Sequence, residues 1–179
     1  MGKHGKLIAP GTLQFKVLLP GNTEDLWEYL TKSGKRGQWL ASGKLEERAG
    51  GKLTLHFQHN LLSDEEDPVP EKFSQYEDGD TMEARVLLVE PPKQLSYTWA
   101  GDSEVSFELL PKEDNALLIL THKGLGEEPE TLIGVAAGWH THLDILESKL
   151  WGKKAPAFWK TYEKHEQDYK ERFDKNLEK

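Results

Sequence analysis

Four strand-like segments follow one another along residues 81–122, and a long amphipathic helix comes after them. The segments are TMEARVLLVE, KQLSYTWA, EVSFELL and ALLILTH. Short turn signals separate them, at Pro91-Pro92, at Gly101-Asp102 and at Glu113-Asp114-Asn115. Strands joined by such short turns pair with their neighbours in antiparallel orientation. The sequence therefore predicts an antiparallel meander.

The long helix is predicted from apolar residues that recur every three or four positions. They are Leu132, Val135, Trp139, Leu143, Leu146 and Leu150. This spacing places them on one face of a helix. Such a face has to be covered, and the concave side of a curved sheet can cover it. We therefore expect an α+β arrangement with a cavity between helix and sheet.

The first part of the chain predicts a strand, two short helices and a hairpin. Residues 12–20, TLQFKVLLP, begin with the alternation of a half-buried strand. Asn22 is an N-cap candidate for a short amphipathic helix, and a second helical turn is expected to carry Trp39. Residues 45–58 are interpreted as two strands joined at Gly50-Gly51.

Residues 59–80 form the longest loop candidate, which is rich in acidic residues and contains two closely spaced prolines. Connections in compact domains are usually shorter, so this segment is functional, mobile or conceals a short element. A solvated acidic insertion is the commoner interpretation. A functional segment of this size would act as a lid.

A second helix is predicted at the C-terminus, beginning near Pro156. Aromatic residues and one histidine repeat along it at spacings of three and four: Phe158, Tyr162, His165, Tyr169 and Phe173. We expect this stripe to dock on the rest of the domain, with a dimer contact as the alternative. The protein is thus expected to be a monomer or a weak homodimer.

Composition excludes several classes of function. The net charge is −8 and the 23 basic residues are scattered, so we expect no nucleic-acid partner. The absence of cysteine excludes disulfides, thiolate catalysis and cysteine-ligated metals. The N-terminus lacks a continuous apolar core, so neither a signal peptide nor a membrane span is predicted, and a cytoplasmic location is expected. We expect no cofactor.

The segment GWHTHLDILESKLWG contains two histidines in the predicted long helix. His140 and His142 lie about 200° apart around a helix axis, so they cannot ligate one metal ion. His140 and Asp144 have metal-ligand spacing, but a surface ion pair is far commoner, and we expect no zinc binding. We predict an exposed His140 with an ordinary pKa, and a partly desolvated His142 with a lowered pKa.

Several short motifs together carry a family resemblance from about Leu13 to Leu150. They are WLA, GGKL, VEPPKQLSYTW, LTHKGL and GWHTHLDIL. In this order and spacing they resemble the helix-grip superfamily, also called START or Bet v 1-like, and its branch similar to the activator of Hsp90 ATPase C-terminal domain. The resemblance implies a curved antiparallel sheet around a long C-terminal helix, with two short helices after the first strand. We assign residues 7–152 to this domain and residues 153–179 to a helical extension packed on it.

The resemblance implies binding of a hydrophobic molecule, because members of the superfamily bind lipids, sterols, flavonoids or hormones in the cavity. Our first hypothesis is therefore non-catalytic binding of a small hydrophobic or aromatic ligand. Alternation and helical position predict the cavity lining, although core packing is the commoner role for each residue. The predicted lining residues are Phe57, Trp99, Phe107, His122, Trp139, His142, Leu143 and Leu146.

Two other functions are left open. A chaperone-regulating interaction module is implied by the resemblance to the activator of Hsp90 ATPase. A polyketide cyclase-like enzyme would use His122 or His142 as general acid or base. No second residue is spaced to orient either imidazole, so no catalytic residue is assigned.

Overall fold

The computed structural model describes residues 3–177, which form seven strands, four α-helices and two short 3-10 helices. The strands are β1 (Lys6–Ala9), β2 (Thr12–Pro20), β3 (Lys52–Phe57), β4 (Asp80–Glu90), β5 (Gln94–Thr98), β6 (Glu104–Lys112) and β7 (Asn115–Lys123). The helices are α1 (Thr23–Thr31), α2 (Ser33–Arg36), α3 (Pro129–Leu150) and α4 (Phe158–Leu177), with 3-10 helices at His59–Leu61 and Glu71–Tyr76. The last two residues of the predicted extension, 178–179, lie outside the described residues.

All seven strands belong to one antiparallel sheet with the order β1-β2-β7-β6-β5-β4-β3. The predicted meander is confirmed as β4 to β7. The α+β helix-grip arrangement is confirmed too, with the long helix α3 after the last strand. One strand was not predicted: β1 is a short, exposed edge strand that precedes the expected first strand, so the two short helices follow β2.

The core lies between one face of the sheet and α3. On β2 the alternating residues Leu13, Phe15, Val17 and Leu19 are all buried, as the period of two requires. On α3, Leu132, Trp139, Leu143 and Leu146 are buried at helical spacing. Each fully buried apolar side chain stabilises the fold by about 1.5–3 kcal/mol, so these two matching faces hold the helix in the sheet.

α4 packs along α3 through its aromatic stripe. Phe158, Tyr162, Tyr169 and Phe173 are all buried within the chain. The stripe therefore covers the body of the same chain and is not offered to a second copy. No helix within residues 3–177 is both long enough and apolar enough to cross a membrane.

The predicted hairpin at residues 45–58 is wrong in its first half. β3 forms as expected, but the segment before it makes only isolated bridges, Ser42 to His56 and Leu45 to Leu53. The Glu46 carboxylate accepts the backbone N–H of Lys52 at 3.0 Å. Such local side-chain bonds compete with a regular ladder, and β3 pairs with β4 on its other side.

The acidic segment, residues 59–80, contains two short 3-10 helices and is fastened to α4. The indole N–H of Trp159 donates to Asn60 Oδ1 at 2.8 Å, and the backbone N–H of Trp159 donates to the Asp67 carboxylate. The Phe73 ring stacks on Trp159 with centroids 5.1 Å apart. Of the three interpretations given for this segment, the one in which it conceals short elements matches the structure.

Candidate functional site

A cavity of about 420 Å³ lies between α3 and the strands at the β3 end of the sheet. Its wall is aromatic: Trp99 lies 5.0 Å from Trp139 and 5.9 Å from Phe57, measured between ring centroids. Each ring comes from a different element, since Phe57 ends β3, Trp99 follows β5 and Trp139 lies in the middle of α3. The sheet and the helix thus build the wall together.

His142 places a hydrogen-bond acceptor in this wall. Its Nδ1 lies 2.7 Å from the main-chain oxygen of Trp39, which can only accept, so Nδ1 carries the proton and Nε2 holds a lone pair. Burial, together with the neighbouring His59, lowers the pKa of His142 to about 3. The predicted lowering of this pKa is confirmed, and the ring is neutral at pH 7.

His59 is a second imidazole at the cavity. Its ring centroid lies 5.5 Å from that of His142 and 4.3 Å from that of Phe158. Burial lowers the pKa of His59 to about 4. Its Nδ1 is buried and has no hydrogen-bond partner among residues 3–177. Buried polar atoms are nearly always paired, so this nitrogen, whose protonation no hydrogen bond fixes, is open to a hydrogen-bonding group of a ligand.

His122 lies behind the cavity wall, in a continuous series of hydrogen bonds that runs from Trp139 to Ala100. The Trp139 indole N–H donates to Nδ1 of His122 at 2.9 Å, and Nε2 lies 3.0 Å from Ser103 Oγ. The Ser103 hydroxyl in turn donates to the Ala100 carbonyl oxygen at 2.9 Å. Nε2 must therefore carry the proton, and burial lowers the pKa of His122 to about 4. Both ring nitrogens are engaged, so this histidine orients Trp139 and has no free lone pair for proton transfer.

The structure brings together half of the residues predicted to line the cavity. Phe57, Trp99, Trp139 and His142 lie at its wall. Phe107, His122, Leu143 and Leu146 do not line it and are packed in the core. The cavity runs along α3 only from Gly134 to His142, so side chains further along the helix face filled space.

The remaining lining residues were not assigned from the sequence. They are Leu40, His59, Tyr76, Asp80, Thr81, Met82, Ala100, Gly134, Val135 and Gly138. His59, Tyr76 and Asp80 belong to the acidic segment, whose unusual length was a signal of function. Gly134 and Gly138 lie one turn apart on α3; a Cβ at Gly134 would lie 3.3 Å from the Tyr162 hydroxyl, so these glycines let α4 pack closely as well as lining the cavity.

The expectation that His140 is exposed is wrong, because α4 covers it. His140 is 4% exposed, and its ring stacks on that of His165 with centroids 3.7 Å apart. Burial, together with the charge of His165, lowers the pKa of His140 to about 4, although Asp144 acts in the opposite direction. The two side chains do point in different directions, as helical geometry requires: His140 faces α4 and His142 faces the cavity.

The comparisons with known proteins place this geometry in a family. The family described as "Activator of Hsp90 ATPase homolog 1-like protein" matches residues 21–150. The solution structure of the protein encoded by gene BPP1335 from Bordetella parapertussis is 37% identical, with a TM-score of 0.81 over 96% of this chain and 91% of that chain. No curated protein matches the chain in sequence.

Two other solved structures share the fold at lower identity. CalU16 from Micromonospora echinospora is 22% identical, with a TM-score of 0.64 over 88% of this chain and 85% of that chain. DynU16, a protein of the dynemicin biosynthetic locus, is 18% identical, with a TM-score of 0.65 over 82% of this chain and 50% of that chain. The family match covers most of the chain, and the cavity lies where a helix-grip fold encloses one. The chain therefore belongs to the activator of Hsp90 ATPase homolog 1-like family, within the helix-grip superfamily.

Proposed function

We propose that the protein binds a small, neutral, largely aromatic molecule in the cavity between the sheet and α3, without transforming it. The observation that carries this proposal is the pairing of an aromatic wall with two neutral imidazoles, His59 and His142. A volume of about 420 Å³ suits a molecule of drug-like size. Offset and edge-on rings such as Trp99 and Trp139 offer favourable contacts to a further ring.

The charges around the cavity favour a neutral ligand. Among the described lining residues, Asp80 has the one charged side chain, and it is exposed at the rim. A charged ligand would lose its hydration and find no counter-ion deeper in the cavity. A hydroxyl group could donate to Nε2 of His142. Flavonoid-like or polyketide-like phenols therefore fit this cavity better than fatty-acid anions.

The hydrogen bonds favour binding over catalysis. Both nitrogens of His122 are engaged within the protein. Nδ1 of His142 donates to a neutral carbonyl oxygen, so no carboxylate is in place to stabilise a protonated ring. A general base needs its protonated form to be accessible. This arrangement supplies an acceptor for a ligand hydroxyl and lacks the partner of a catalytic base.

The test is a titration of flavonoids, sterols and fatty acids, followed by tryptophan fluorescence and heteronuclear NMR. We expect saturable quenching and shifts at Trp99, Trp139 and His142 with phenolic compounds. Bound ligand should also stabilise the fold, by about 2.7 kcal/mol at a ligand concentration one hundred times Kd. The absence of a saturable response to all three compound classes would contradict the proposal.

A pair of matched variants separates cavity binding from surface adsorption. Val135→Phe adds bulk to the cavity wall and should weaken binding strongly. Leu18→Phe adds comparable bulk at a position that is 45% exposed, on the face of β2 opposite the core residues. This variant should bind the ligand as the original chain does. Equal binding by the two variants would contradict the assignment of the site.

A third variant tests the role assigned to His142. His142→Phe removes the acceptor and keeps an aromatic ring at the wall. Affinity for a phenol should fall by about tenfold, a loss of about 1.4 kcal/mol, while affinity for its O-methyl ether should change little. An equal loss for both compounds would show that His142 acts through packing alone.

A further inference from the structure

A second cluster of potential ligands lies where α4 crosses α3, on a different side of α3 from the cavity. His140 and Asp144 are one turn apart on α3, and His165 comes from α4. Their ligand atoms all lie within 4.8 Å of one another. His165 Nε2 is 2.7 Å from Asp144 Oδ2, and His140 Nε2 is 3.8 Å from Asp144 Oδ1. Two imidazoles and a carboxylate thus lie within reach of one another.

We propose that this cluster binds a divalent transition-metal ion, with Zn²⁺ as the best match, through His140 Nε2, the Asp144 carboxylate and His165 Nε2. Imidazole and carboxylate together form a common donor set for zinc, and three protein ligands leave a fourth position for water. The set differs from the pair of His140 and His142 that the sequence excludes, and it reverses the sequence-based expectation that His140 and Asp144 bind no zinc. The third ligand comes from a helix that the spacing within α3 could not reveal.

The far side of His140 is arranged as in known metal sites. Its Nδ1 lies 3.0 Å from the Tyr169 hydroxyl, which also accepts the backbone N–H of Gly5 at 2.7 Å. Tyr169 is fully buried, so this hydroxyl is fixed in place. When Nδ1–H donates to it, Nε2 presents its lone pair to Asp144. A partner on the second ring nitrogen is what orients metal-bound histidines in proteins.

The cluster has a route to solvent. His140 is buried, but Asp144 and His165 are partly exposed and border a surface cavity of about 350 Å³. An ion could enter by this cavity without unfolding α4. Coordination would tie α3 to α4, so metal binding should also stabilise the docking of the C-terminal helix.

Lys3 competes with the ion for Asp144. Its ammonium lies 3.9 Å from Asp144 Oδ1 and pairs with the carboxylate of Glu147. An entering cation has to displace this positive charge or bind beside it. Replacing Lys3 by the uncharged Met should therefore raise metal affinity. An increase in affinity on losing Lys3 would not be expected if the ion bound elsewhere.

The stacked rings have to open when the ion binds. His140 and His165 lie nearly parallel, with 11° between their planes and 3.7 Å between centroids. The lone pair of each Nε2 lies in its own ring plane, so one ion cannot lie in both planes at once. We expect His165, the more exposed of the two, to turn toward the ion. The resonances of both rings should then change together.

The experiment is a titration of the chelator-stripped full chain with Zn²⁺ by calorimetry, and with Co²⁺ by visible absorption. We expect one ion per chain and the ligand-field bands of a nitrogen and oxygen site. His165→Gln and Asp144→Asn should each lower the affinity by at least about tenfold, and Lys3→Met should raise it. His56→Gln removes an exposed histidine outside the cluster and should bind as the original chain does.

Two results would overturn the proposal. One is the absence of stoichiometric binding to the original chain. The other is unchanged affinity in both His165→Gln and Asp144→Asn, which would mark the binding as adventitious. If a variant does not fold, imidazole NMR of the original chain decides the question: with Zn²⁺ the nitrogen resonances of His140 and His165 must move and those of His56 must not. This outcome is independent of ligand binding in the cavity.

Discussion

The indole nitrogen of Trp139 and Nδ1 of His122 are 2.9 Å apart, and this hydrogen bond joins the middle of α3 to β7. Because the indole can only donate, the bond fixes which nitrogen of His122 accepts. Ser103 then receives the remaining N–H of the imidazole at 3.0 Å. One wall of the cavity is therefore held by a buried polar chain as well as by packing.

Trp139→Phe tests the strength of that bond. The change leaves Nδ1 of His122 buried and unpaired, which should cost about 1–3 kcal/mol of unfolding free energy in addition to the lost packing. Urea denaturation measures the loss. Trp151→Phe is the matched control, because Trp151 is 54% exposed, and it should stay within about 0.5 kcal/mol of the original chain. Equal losses in the two variants would rule out the hydrogen bond as the cause.

His122 should also make the fold sensitive to acid. Burial lowers its pKa in the folded chain to about 4, whereas the unfolded chain has the ordinary value of 6.5. Between these values the unfolded state binds a proton that the folded state does not. The unfolding free energy should therefore fall as pH drops from 6.5 to 4, and this histidine contributes up to about 3 kcal/mol of the loss.

Urea denaturation at several pH values measures this dependence. His122→Gln keeps an acceptor for Trp139 and a donor for Ser103 but does not titrate, so its stability should fall less steeply between pH 6.5 and 4. His56→Gln, at an exposed position, should follow the original profile. If His122→Gln keeps the full acid dependence, the loss arises at other buried groups, among which His59 also has a lowered pKa.

The fold could be predicted because apolar residues recur at regular spacing along its main strands and its long helix. Alternation along β2 and the three-to-four spacing along α3 each expose one apolar face, and two such faces have few ways to meet. The failures come from segments without a period. The Glu46 side chain, in the segment before β3, accepts the backbone N–H of Lys52 at the start of β3, and this segment makes only isolated bridges. β1 is too short and too exposed to leave an apolar signature.

Only half of the candidate site could be predicted, because the rest is formed by contacts between segments that are distant in the sequence. Trp139 and His142 follow from the helical face of α3. His59 belongs to a segment with no pattern, and it reaches the cavity because that segment is fastened to Trp159. The burial of His140 depends on α4, which begins 18 residues further along the chain, at Phe158. Spacing within one helix cannot show which neighbour covers it.

Arg36 carries a buried charge whose removal should be costly. Its side chain is 1% exposed and donates to the main-chain oxygens of Thr31 at 3.1 Å and Ala41 at 3.0 Å, and also to that of Gly43. A lysine has no planar fork to reach these acceptors together. Arg36→Lys should therefore lower the unfolding free energy by about 3 kcal/mol, measured by urea denaturation.

The control for Arg36→Lys is Arg48→Lys. Arg48 is exposed and pairs with Glu46 at the surface, so the change should cost less than about 0.5 kcal/mol. Similar stability in the two lysine variants would show that the carbonyl oxygens around Arg36 do not need its guanidinium. That result would leave the turn after α2 to be held by packing alone.

Gly43 should be intolerant of any side chain, for two independent reasons. Its φ is +120°, a conformation that residues with a Cβ rarely adopt. A Cβ atom there would also lie 2.0 Å from the backbone oxygen of Thr54 in β3, which cannot move without disturbing the sheet. Gly43→Ala should therefore lower the unfolding free energy by about 3 kcal/mol or more.

Gly34→Ala is the matched control, because a Cβ at Gly34 meets no atom within 4 Å and the residue lies in α2. It should leave the unfolding free energy unchanged or raise it by about 0.5–1 kcal/mol, since alanine restricts the unfolded chain. Denaturation of the two variants in parallel gives the comparison. A Gly43→Ala variant as stable as Gly34→Ala would mean that the segment between α2 and β3 can shift away from Thr54, and the close approach would then not be a constraint on this fold.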